Sequence, residues 1–121
     1  MSNWSRDSYG IKNLSEVSAS ATITDGTLSL NLSTANIFYV SLDSNITTFG
    51  FTNVQSIGTS ACTVIFTADG TARSVTWGGS ILWPGGNAPT LTSTNSKEDI
   101  FSFVTLDGGT TWYGFIGGQN L

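Results

Sequence analysis

From Ala19 to Gly118 apolar side chains recur at every second position, in short runs broken by Asp-Gly and Gly-Gly pairs. That period is the signature of half-buried strands, because successive side chains on extended backbone point to opposite faces. ASATITDGTLSLNL places Ala19, Ala21 and Ile23 before Asp25-Gly26, and Leu28, Leu30 and Leu32 after it. An Asp-Gly pair tolerates the positive φ of a two-residue turn, so the stretch predicts a hairpin. NIFYVSLD sets Phe38, Val40 and Leu42 on one face and Ile37, Tyr39 and Ser41 on the other. TTFGFTNV flanks Gly50 with Phe49 and Phe51, which predicts a bulge or a close backbone approach. SACTVIFTADGTARSVTW predicts a second hairpin about Asp69-Gly70, with Cys62, Val64 and Phe66 facing Val75 and Trp77 on the return strand. DIFSFVTLDGGTTWYGFI predicts a third, turning at Asp107-Gly108-Gly109.

No window repeats apolar residues at i, i+3 and i+4 over three helical turns. The expected fold is therefore all-β, an antiparallel β-sandwich or jelly-roll-like domain of about eight strands. The strand spacing does not recur at a fixed period, which argues against a solenoid. ILWPGGNAPT interrupts the pattern. Pro84 has no amide donor and cannot sit inside a ladder, so a short strand at Ile81–Trp83 ends there. Gly85-Gly86 and Pro89 then open a loop that crosses one end of the sandwich. The charge cluster Lys97, Glu98 and Asp99 reads as part of a solvated loop.

Residues 1–18 lack the alternation. They carry Arg6, Asp7, Lys12 and Glu16, with Trp4 and Tyr9 as isolated aromatics in a polar stretch. The division expected is an N-terminal arm, 1–18, and a β-sandwich domain, 19–121. Trp4 and Tyr9 are the candidate anchors by which the arm holds a neighbouring chain.

Composition narrows the function. Charged residues make only 10% of the chain, against roughly 25% in an average soluble domain. Ser and Thr supply 35 of the 121 residues, so polarity comes from hydroxyls that bond without repelling, as suits packing against copies of the same chain. A net charge of −4 with 4 Lys and Arg cannot neutralise a row of phosphates, which excludes nucleic-acid binding. No apolar run is long enough to span a bilayer, and MSNWSRDSYG has no apolar core of a signal peptide. The expectation is synthesis in a host cytoplasm without secretion by a signal peptide, and no membrane insertion.

Enzymatic readings find little to build on. Without histidine there is no Ser–His or Cys–His pair, and Cys62 in ACTVIF reads as a buried, inert thiol. No catalytic residue, cofactor site or metal site is expected. Asp25, Asp43, Asp69 and Asp107 are oxygen ligands in principle, yet an aspartate beside a turn glycine is first of all turn chemistry. The remaining candidates are aromatic. Trp83, Trp112 and Tyr113 could stack on a sugar or meet another subunit, and the adjacent pair Trp112-Tyr113 must point to opposite faces.

Trp77, the run WPGGNAP with Leu91-Thr92, then Asp99, Phe101 and Phe103, and the ending DGGTTWYGF, resemble a module of tailed bacteriophages, those of marine bacteria and cyanobacteria in particular. That module closes tail-fibre and other virion surface proteins, and the resemblance spans roughly Asn36 to Gly118. It implies a β-structured virion surface component, a homotrimer, whose partners are itself and a major capsid or tail protein. The short N-terminal arm in place of a fibre shaft favours a small capsid decoration protein. The alternative is a receptor- or carbohydrate-binding module at a fibre tip, with a host surface glycan as its partner.

Overall fold

The computed structural model describes residues 15–121. Among them eight strands run in chain order: β1 (Ser18–Ser20), β2 (Thr27–Asn31), β3 (Ile37–Leu42), β4 (Thr48–Thr52), β5 (Ser60–Ala68), β6 (Ile81–Leu82), β7 (Glu98–Thr105) and β8 (Trp112–Gly118). A 3-10 turn, Pro84–Gly86, comes after β6. The strands form a six-stranded sheet, ordered β1-β3-β5-β7-β8-β6, and a two-stranded sheet, β2-β4. The inward residues of both sheets close on one core, giving an all-β, sandwich-like domain.

Pairing is mixed where an antiparallel arrangement was expected. β1–β3, β2–β4, β3–β5 and β6–β8 are parallel, while β5–β7 and β7–β8 are antiparallel. The cause lies in the connections. From β1 to β5 each loop carries the chain from one sheet to the other, so a strand returning to a sheet runs the same way as the one before it. The first expected hairpin is thereby lost. Asp25 and Gly26 do form the tight turn, with φ of 50° and 77°, and Thr24 and Thr27 exchange backbone bonds of 2.9 Å. Beyond that bridge the arms part, β1 into the large sheet and β2 into the small one.

The second expected hairpin fails in the same way. After Asp69-Gly70 the chain does not return along β5; Val75 forms one parallel bridge to Ile46 beside the small sheet. Both neighbours of β5 come from elsewhere in the sequence, β3 and β7. The third hairpin, β7–β8, is as expected. Gly50 pairs in register with Ser29, and a methyl group there would meet nothing within 4 Å, so neither a bulge nor a close approach explains it.

Burial obeys the alternation. Leu28 and Leu30 of β2, Phe38, Val40 and Leu42 of β3, Val64 and Phe66 of β5, and Phe101 and Phe103 of β7 are almost fully enclosed. Trp77 sits among rings, with centroids 4.9 Å from Trp83, 5.1 Å from Phe49 and 5.3 Å from Phe101, all edge-to-face. Each such pair adds about 0.5–1.5 kcal/mol beyond area burial. Phe51 from the small sheet stacks on Trp112 from the large one at 3.8 Å and joins the two layers.

The loop after Pro84 is pinned to the domain. The Trp77 indole N–H donates to the Pro89 carbonyl at 3.1 Å, and Leu91 is buried. Asp99 anchors the chain just beyond Leu91. It was expected in a solvated loop, but it is the second residue of β7 and is buried. Its carboxylate accepts from the Thr92 amide at 2.7 Å, the Asn120 amide at 3.0 Å and Gln119 Nε2 at 3.2 Å. Alternation explains the burial: Asp99 shares an inward parity with Phe101 and Phe103.

Candidate functional site

The inner faces of the sheets are consumed by the core, so the chemistry open to partners lies outside. Register assigns the outward residues of the large sheet. Leu82, Tyr113 and Val104 form one row across β6, β8 and β7. Phe115, Ser102, Thr63, Ile37 and Ser18 form the next, from β8 to β1. Ile100, Ile65, Tyr39 and Ser20 form a third, and Glu98, Thr67 and Ser41 a fourth. All of these side chains are exposed or half-exposed. Leu82 is 52% exposed, Phe115 50%, Tyr39 49% and Tyr113 42%.

More than half of these outward positions hold large apolar or aromatic groups, and the one carboxylate among them is Glu98. Cross-strand hydroxyls settle part of the polar demand: Thr63 and Ser102 lie 3.0 Å apart, and Thr67 Oγ1 donates to Glu98 Oε2 at 3.4 Å. The result is a broad, nearly uncharged face on an acidic protein. At its β1 end a shallow hollow of about 240 Å³ opens between Ser20, Thr22, Tyr39, Ser41, Asp43 and Thr67.

Two of the three aromatics expected at the surface are core residues. Trp83 is 8% exposed and Trp112 2%, so neither presents a ring to a ligand. The Trp83 ring covers Gly114 so closely that a methyl there would lie 2.8 Å from it, and Trp112 is the ring stacked on Phe51. Tyr113 does face out, as the parity of Trp112-Tyr113 requires. Trp4 and Tyr9 lie outside the described residues. The alternation reading missed Leu82, Ile100, Ile65, Val104 and Phe115 as members of one surface. Their signal was present: IFYVSL, CTVIF and DIFSFV carry apolar residues at both parities, the mark of strands that want cover on both sides.

Comparison with protein-family models, with curated proteins and with solved structures returned no match.

The titratable groups are tied to structure. Burial pushes the Cys62 thiol up to about 12, so at neutral pH it is protonated and a poor nucleophile. Burial alone would raise Asp99, but the bonds from Thr92, Asn120 and Gln119 outweigh it and hold the carboxyl below its usual range. Asp107 is lowered first by the Thr111 amide at 2.8 Å and also receives the Thr105 hydroxyl at 3.0 Å. Asp69 is lowered first by Arg73, whose guanidinium lies 2.6 Å away. Among the described residues no three acidic or cysteine side chains gather as a metal site would require.

Proposed function

We propose that this protein is a non-enzymatic structural component of a virion surface, most simply a capsid decoration protein that docks on the particle and associates with copies of itself. One observation carries the reading: the distinctive surface of the domain is an open, apolar, almost uncharged sheet face, which is chemistry for adhesion. The residues behind the phage resemblance support it. DGGTTWYGF becomes the turn and strand whose inward Trp112 and Gly114 build the core and whose outward Tyr113 and Phe115 furnish that face.

The test is location. Quantitative mass spectrometry and immunogold labelling of purified phage particles should find the protein on the outside, in proportion to the major capsid protein. Absence from the particle overturns the reading, and a few copies at fibre ends moves it to the fibre. The glycan-binding alternative now rests on the hollow at Tyr39 and Asp43, because Trp83 and Trp112 are buried. Glycan-array binding lost in Tyr39→Ala would favour it.

A further inference from the structure

We infer that the outward face of the six-stranded sheet is buried against a second copy of this chain. The inference rests on the self-association in the proposed function and names its surface.

Four observations lead there. First, β3, β5 and β7 carry apolar residues at both parities, the pattern of strands covered on both faces. Among the described residues the core covers one face only. Second, the uncovered face carries Leu82, Val104, Tyr113 and Phe115 at one end, continuing through Ile100 and Ile65 to Tyr39. Third, the face is large enough. Six strands about 4.8 Å apart, averaging about 20 Å in length, span on the order of 550 Å² before side-chain relief is added. A specific interface needs about 500–800 Å² from each partner.

The fourth observation selects the occupant. A basic partner would seek carboxylates, and this face offers only Glu98 in its rows and Asp43 at the hollow on its rim. A charged partner of either sign would lose solvation against it without recompense. The face is instead complementary to itself. Its apolar groups match any apolar surface, and its polar groups are hydroxyls, from Tyr39, Tyr113, Ser102, Thr63 and the serines of β1. A hydroxyl both donates and accepts, so it can bond its own image across a symmetry axis, as a carboxylate cannot. The edge strands of this sheet are only three and two residues long, which disfavours association through its edges. Two such faces would stack about 10 Å apart, like the layers of a sandwich.

The test uses the full chain and its oligomeric mass from light scattering after size exclusion, over a dilution series. The wild-type protein should be a dimer, because a face that meets its own image closes with two copies, in place of the homotrimer implied by the phage resemblance. The double variant Tyr113→Lys with Phe115→Lys should fall to the mass of one chain at the same concentration, with an unchanged far-ultraviolet circular dichroism spectrum. Both positions are solvent-facing, so the fold should tolerate them. A control, Ser29→Lys on the outer face of the small sheet, should keep the wild-type mass. Recovery of the heavier species on mixing Tyr113→Lys chains with Tyr113→Glu chains would show that the face meets itself. A double-lysine variant that keeps the wild-type mass overturns the inference while leaving self-association intact. A wild-type chain that is monomeric at its highest soluble concentration overturns both, and particle binding is then judged by its own experiment.

Discussion

At the scale of single residues, two pairs of positions show how place sets consequence. Trp77 and Trp83 are neighbouring core rings, yet only Trp77 uses its indole N–H, on Pro89. The Trp83 N–H is buried without a partner among the described residues. Replacing a bonded group strands its partner, whereas removing an unbonded buried donor relieves an unmet demand. Trp77→Phe should therefore cost about 1 kcal/mol more than Trp83→Phe in urea unfolding. Gly114 and Gly50 make a similar contrast. A methyl at Gly114 runs into the Trp83 ring at 2.8 Å, so Gly114→Ala should destabilise by about 1–3 kcal/mol. Gly50 faces open space, and Gly50→Ala should be neutral or gain about 0.5–1 kcal/mol, because alanine leaves the unfolded chain fewer conformations to lose.

Asp99 adds a pH signature. Its folded carboxyl titrates below the unfolded value of about 3.9. The native state thus holds the proton less tightly than the unfolded chain. The stabilisation is complete above the unfolded value and is lost as pH falls through the lower folded one. Asp99→Asn should be clearly less stable than wild type at neutral pH. The gap measured by denaturant titration should close as the pH falls below about 4.

At the scale of elements, the turns were readable, but of the pairings only β7–β8 was. Asp25-Gly26 forms its turn because short-range backbone preferences decide a turn. Which strand lies beside β2 is decided by burial of Leu28 and Leu30 against the large sheet, a matter between residues far apart in sequence. The same reasoning makes β1 informative. Its backbone bonds reach β3 through Val17, whose carbonyl receives the Asn36 amide at 3.0 Å, and through Ala21, whose amide donates to Tyr39 at 2.9 Å. A chain shortened to residues 22–121 should melt below one shortened to 15–121. It should also aggregate more readily, because the long edge of β3 is then bare. Differential scanning fluorimetry and light scattering would measure both.

At the scale of the whole molecule, Cys62 reports on the domain as one unit. It lies in β5, between β3 and β7, and its thiol is buried and held protonated at neutral pH. Labelling by a thiol reagent should be strongly suppressed in the native state. It should become fast only through the urea range where circular dichroism reports loss of strands. Ready labelling without unfolding would show that the centre of the sheet opens on its own.

Side-chain parity was written into the chain. It made the inward set Phe38, Val40, Val64, Phe66, Phe101 and Phe103 legible, together with the strand-ending role of Pro84 and the opposed directions of Trp112 and Tyr113. Parity is a property of local backbone geometry, and local geometry needs no knowledge of distant residues. The tertiary structure alone decided that Trp83 and Trp112 are enclosed, that Asp99 is a buried anchor, and that Tyr39, Ile65, Ile100 and Phe115 share one open surface. Those outcomes depend on which strands become neighbours, and neighbours are chosen by the joint burial of segments that the sequence holds far apart.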